Sequence, residues 1–154
     1  MNDFMMQANL LAKGNLKSNY GGPFGAVVVK NGKIIGRGCN CVLKNNDPTA
    51  HAEIMAIRDA CNNINNYDLS GCVIYTSCYP CPMCLSAIVW SNIKTVYYGN
   101  SKEDAKDIGF RDDFIYDLIN NIDNNNYFDL IEIDRNETIK TFEEYKNKED
   151  RIIY

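Results

Sequence analysis

The chain has 154 residues, 16 basic and 20 acidic, giving a net charge of −4 and a sequence pI near 5.0. That length predicts one domain over residues 1–154, and a composition of 45% hydrophobic and 23% charged residues excludes a disordered tail, a collagen or a coiled coil. The acidic balance argues against a general nucleic-acid binder, whose footprint would be basic. No charged leader precedes an apolar stretch and no apolar run approaches membrane length, which predicts a cytoplasmic chain that does not enter a membrane. There the seven cysteines are expected as reduced thiols or metal ligands.

Read in chain order, Met5 to Lys17 has apolar residues at helical spacing and ends in a turn cluster. Phe24 to Lys30 reads as a buried strand, Asn31-Gly32 as a hairpin turn, and Lys33 to Asn40 as the returning strand. A loop through Pro48 leads to a helix from Thr49 to about Asn62. Cys72 to Thr76 is a short strand. Cys81 to Trp90 is a helix apolar on nearly all sides, hence expected to be buried. Thr95 to Gly99 is again a strand and Asp113 to Ile122 a helix. Phe128 to Ile133 alternates like a fifth strand, and Thr138 to Lys148 reads as a surface helix. The order predicts an α/β class: a mixed sheet with helices packed on it.

Two segments carry chemistry. Pro48-Thr49-Ala50-His51-Ala52-Glu53 and Pro80-Cys81-Pro82-Met83-Cys84 spell H-x-E followed by P-C-x-x-C, the pattern of zinc deaminases that act on bases. Cys81 and Cys84 are three apart at a helix start, so both thiols fall on one face. The positive end of that helix favours thiolates. His51 is the only histidine, so any imidazole ligand from this chain is His51. Two thiolates and one imidazole leave a tetrahedral position open, which distinguishes catalytic from structural zinc. Glu53 would then lie beside the metal without ligating it, placed to take a proton from water and pass one to a departing amine, provided the helix end faces the site. The competing reading is a structural zinc site closed by Cys78. The remaining cysteines, Cys39, Cys41, Cys61 and Cys72, read as small buried residues.

The run Gly21-Gly22-Pro23-Phe24-Gly25-Ala26-Val27-Val28, the two metal segments and Tyr75-Thr76-Ser77-Cys78 together resemble the cytidine-deaminase-like superfamily. The segment Gly109 to Tyr116 is similar to its guanine deaminase branch. The resemblance implies a three-layer α/β/α fold with a five-stranded mixed sheet, one Zn2+ per subunit held by His51, Cys81 and Cys84, and hydrolytic removal of the 2-amino group of guanine. Glu53 would be catalytic. Asn40, Phe24 and Trp90 would bind the base. Asp112 would contact the substrate edge and assist proton transfer, although the sequence leaves open whether it or Asp113 faces the base. The resemblance also implies a homodimer whose C-terminal segments, about 135–154, are exchanged so that Tyr154 reaches the partner's site. Read without the family, Ile152-Ile153-Tyr154 is an apolar tail that could equally pack on its own subunit.

Tyr79 stands where a glutamate is common, and Arg111 where an acidic residue is frequent. Both bear on substrate choice. The competing functions are deamination of adenosine in tRNA, of cytosine or of guanosine by the same chemistry, and a non-catalytic zinc-stabilised interaction protein. The tRNA reading expects a basic surface, which an acidic chain does not suggest. A purine base fits an acidic pair, because guanine offers donors that carboxylates accept.

Overall fold

The computed structural model describes residues 2–154, apart from the side chain of Asn124. It divides into two compact units, one ending at Asp117 and one beginning at Leu118. In the first, α1 (Asp3–Ser18) starts at Asn2, whose side chain accepts from the N–H groups of Phe4 and Met5, and stops at Asn19 in the left-handed conformation. Strands β1 (Gly25–Lys30) and β2 (Lys33–Cys39) form the expected hairpin. Asn31 and Gly32 both have positive φ, as a two-residue primed turn requires. A short α2 (Val42–Asn45) follows, then α3 (Ala52–Ile64), β3 (Val73–Cys78), α4 (Pro82–Trp90), β4 (Thr95–Asn100), α5 (Lys102–Asp107) and the start of α6 (Asp112–Asn120). The second unit holds the end of α6, a 3-10 turn (Ile122–Asn124) and α7 (Arg135–Asn147).

The sheet order is β2-β1-β3-β4, with β1 antiparallel to both neighbours and β4 parallel to β3. The register decides what each face carries. Ala26 is level with Gly38 and Thr76, and Val28 with Gly36 and Ile74. A Cβ on Gly36 or Gly38 would strike the backbone of α3 at Ala56 and Ala52, so this face packs on α3 at close range. Gly25 points to the other face, where a Cβ would strike α1 at Ala8 and Ala12. Alternation therefore places α1 and α3 on opposite sides, the three-layer arrangement expected. The α3-side core joins Ala26, Val28 and Ile74 to Ala52, Ala56, Ala60 and Ile88.

Two expectations are corrected, and two short helices are added. The sheet has four strands among the described residues, because Phe128 to Ile133 forms none. That segment belongs to the second unit, where no strand lies alongside to satisfy its N–H and C=O groups, and Phe128, Leu130, Ile131 and Ile133 are exposed. Helix α4 is buried only along Pro82, Cys84 and Ile88, while Val89 and Trp90 are exposed. Helices α2 and α5, too short for a periodic signal, were not expected at all. No described helix is long and apolar enough to cross a membrane.

Candidate active site

Two helix N-termini converge. His51 is the N-cap of α3 and Cys81 the N-cap of α4, both in extended backbone geometry, and neither side chain caps its own helix. Both are thereby free to turn to each other. His51 Nδ1 lies 3.6 Å from Cys81 Sγ and 3.6 Å from Cys84 Sγ. These three ligand atoms all lie within 4.8 Å of one another, the one such cluster of His, Cys, Asp or Glu among the described residues. Tetrahedral zinc with bonds of roughly 2.0–2.3 Å sets its ligand atoms about 3.6 Å apart, so the triad fits the ion. Pro82 occupies the first turn of α4, where its missing N–H costs nothing.

The charge state suits a cation. Hydrogen bonding from the Cys84 thiol, then from His51, outweighs burial and holds Cys81 down to about 4. Cys84 is pushed far up by its bond to Cys81 and by burial. His51 is raised, chiefly by its hydrogen bond to Cys81. Cys84 thus keeps the proton the pair shares, the one a metal would displace. Cys78 takes no part: its thiol donates to the Ser101 carbonyl at 3.5 Å, and it lies outside the cluster. A four-ligand structural site is therefore not formed, and the open position survives.

Glu53 sits in the first turn of α3, 6% exposed, and outside the ligand set. Its Oε1 accepts the Thr76 hydroxyl at 2.7 Å, and its Oε2 accepts the Cys84 thiol at 3.3 Å. Burial raises its pKa. The helix end, not its side, faces the triad, which is the condition under which residues 51 and 53 reach one place.

Glu53, His51 and Cys81 line a cavity of about 320 Å3 together with Phe24, Asn40, Tyr79, Phe110 and Asp112. This is the size and concavity of a small-molecule site. Asn40 is buried, with its Oδ1 accepting the Val42 N–H and its carbonyl accepting the Asn15 amide. Those bonds fix its rotamer, so its NH2 group is the donor it can offer a ligand. Gly21 is required here, since any Cβ would collide with the Asn40 side chain. Phe24 and Phe110 meet edge to face, centroids 4.8 Å apart.

The acidic pair divides its labour. Asp112 lines the cavity and is raised by desolvation and then by Cys81. Asp113 turns away to Lys106 Nζ at 2.9 Å and Arg111 Nε at 3.7 Å. Arg111 is therefore the surface partner of Asp113. Trp90 does not line the cavity: α4 starts at the triad, and Trp90 at its far end is about 9 Å along the axis from Cys84. Tyr154 belongs to the second unit and is exposed. Phe110 and Thr76 were missed as site residues. Thr76 could have been found as the polar residue on the core face of a strand that runs into P-C-x-x-C.

Comparison with known proteins agrees with this geometry. Residues 1–100 match the cytidine and deoxycytidylate deaminase zinc-binding region. The chain is 44% identical over 144 residues to the guanine deaminase of Bacillus subtilis, covering 94% of this chain and 92% of that protein. It is 41% identical over 127 residues to the tRNA-specific adenosine deaminase of Buchnera aphidicola, covering 82% of each. The crystal structure of the B. subtilis guanine deaminase superposes with a TM-score of 0.92 at 41% identity, covering 100% of this chain and 99% of that one.

Proposed function

The chain belongs to the cytidine and deoxycytidylate deaminase family, and we propose that within it this protein is a zinc-dependent guanine deaminase, converting guanine and water to xanthine and ammonia. The observation that carries the reaction class is a His51/Cys81/Cys84 triad with a buried, non-ligating Glu53 beside it, His51, Cys81 and Glu53 lining one cavity. Similarity along nearly the full length of a guanine deaminase supports the choice of base.

His51, Cys81 and Cys84 would hold one zinc ion per subunit, and the bound ion would supply the Lewis acidity that lowers the pKa of water. The rest is done by side chains. Glu53 takes one proton from the attacking water and passes it to ring N3, then takes the second from the hydroxyl left on C2 and delivers it to the 2-amino group as the C–N bond breaks, so that xanthine and ammonia leave. Its raised pKa suits both halves of that duty. Asp112 accepts from the N1 and 2-amino donors of guanine, and the Asn40 NH2 group donates to an acceptor on the base. Phe24 and Phe110 wall off water from the ring. In the same reading, the protein works in the cytoplasm as a homodimer that exchanges residues about 135–154, bringing Tyr154 to the partner's cavity. A reducing compartment keeps Cys81 and Cys84 available as thiolates.

The test is turnover by zinc-loaded protein, followed as xanthine and ammonia, with cytosine, guanosine and tRNA adenosine alongside. Guanine should be consumed, and Glu53→Gln should keep its zinc and lose about 100-fold or more in kcat. Stoichiometric zinc with no turnover of guanine would overturn the substrate. Preferential deamination of tRNA adenosine would move the protein to the other relative's activity. Equal behaviour of wild type and Glu53→Gln would leave a zinc-stabilised binding protein.

A further inference from the structure

Thr76 has no role in the chemistry described so far, yet it is fully buried, and its hydroxyl is aimed at the most important carboxylate in the molecule. Its position is dictated by the sheet. Thr76 pairs with Ala26 in the β1–β3 register, which puts its side chain on the face that packs on α3. There it donates to Glu53 Oε1 at 2.7 Å, a charge-assisted bond in a dry setting. The other oxygen, Oε2, is the one turned to the metal triad, 3.3 Å from Cys84 Sγ. A carboxylate on a flexible stem has two equivalent oxygens and several rotamers. One buried hydroxyl bond removes that choice.

We propose that Thr76 is the positioning residue for the general base: it anchors Glu53 Oε1 and so commits Oε2 to carrying the proton. Both protons of the water travel by Oε2, the first on to ring N3 and the second, from the C2 hydroxyl, on to the departing amine, while Oε1 stays bound to the Thr76 hydroxyl throughout. No proton need move along Thr76, whose hydroxyl donates in the same sense before and after transfer. The inference rests on the assignment of Glu53 as proton carrier in the deaminase reading. It predicts an effect on the chemical step rather than on binding, because Thr76 does not line the cavity.

The experiment compares Thr76→Val, which keeps the shape and loses the hydroxyl, with Thr76→Ser, which keeps the hydroxyl. On the base that the wild type deaminates, Thr76→Val should lose about 10- to 100-fold in kcat, the worth of one bond to a charged group. KM should stay within about twofold and zinc should stay stoichiometric. Thr76→Ser should recover most of the rate. Crystal structures of both variants supply a readout independent of turnover. The Glu53 carboxylate should rotate or split between rotamers in Thr76→Val and keep a single rotamer in Thr76→Ser. A Thr76→Val protein with unchanged kcat, or with Glu53 unmoved, overturns the inference, as does a loss of rate that Ser fails to rescue. Wild-type protein inactive on every base would instead overturn the deaminase reading, while the rotamer comparison still decides whether Thr76 positions Glu53.

Discussion

At Glu53 the fold holds a carboxylate where water cannot solvate it. Burial is the largest influence and raises its pKa above the ordinary 4.5. The sign of the consequence follows. Below the unfolded pKa both states carry a protonated carboxyl and there is no penalty. As pH rises through and beyond 4.5, the unfolded chain ionises first, so folding of the metal-free protein becomes less favourable until the folded-state value is passed. Glu53→Gln removes that charge and keeps an oxygen for Thr76. In metal-free protein it should therefore raise Tm at pH 8, with the gain shrinking to nothing near pH 4.5, as thermal melts across that range would show. A variant that melts no later than wild type at pH 8 would contradict the buried charge. The two neighbouring acids make a second contrast. Asp112→Asn removes the acceptor facing the cavity and should lower kcat/KM for guanine by roughly 100-fold. Asp113→Asn, whose carboxylate faces Lys106 and Arg111, should leave kcat/KM within about threefold.

Between elements, the tight approach of β2 to α3 sets the site. Strand β2 comes so near α3 that Gly38 has no room for a methyl group against the Ala52 backbone. Ala52 lies between His51 and Glu53, so pushing α3 away moves a metal ligand and the proton carrier together. Gly38→Ala should destabilise by about 1–3 kcal/mol or more, seen as a Tm several degrees lower, and should weaken zinc binding, measurable by competition with a chelator. A second prediction concerns the corner between α5 and α6. Asp113 is lowered first by its hydrogen bond from Lys106. A depressed carboxylate contributes stability above its unfolded pKa of 3.8 and loses it as pH falls through the folded value. Lys106→Met should thus lower Tm at pH 7, with the difference narrowing as pH falls below 3.8. These elements also show what the sequence could and could not disclose. The hairpin, α3, β3 and α4 were readable because Asn-Gly, helix formers and short apolar runs act locally. Asn19, Asn46 and Asn65 each end a helix in the left-handed conformation, which asparagine tolerates better than most residues. His51, Glu53, Cys81 and Cys84 were legible because metal chemistry restricts spacing. Phe110 was not, since its place depends on a turn at Gly109 that brings distant segments together, and Thr76 shows only as a polar residue within an apolar strand, its partner Glu53 being set by register. Trp90, assigned to the pocket by the resemblance alone, lies at the far end of α4 and does not line this cavity.

For the molecule as a whole, residues 118–154 present many large apolar side chains at the surface. That unit is shorter than the ~40 residues that hold a core without a staple. Its Leu130, Ile131, Ile133, Phe142, Ile153 and Tyr154 are largely exposed. Such a surface calls for a partner, and exchange between two copies is the arrangement proposed above. Sedimentation should then give twice the chain mass of 17.5 kDa. A complementation experiment separates exchange from packing within one chain. Tyr154→Ala homodimers should lose most of their activity, and Glu53→Gln homodimers nearly all of it. When the two variants are co-expressed, the mixed dimer pairs a chain with a working Glu53 but no Tyr154 with a chain that has the reverse. If the tail crosses, the partner's Tyr154 completes the site that has Glu53, and each mixed dimer regains one of its two sites. If the tail serves its own subunit, neither site in the mixed dimer is whole and no activity returns.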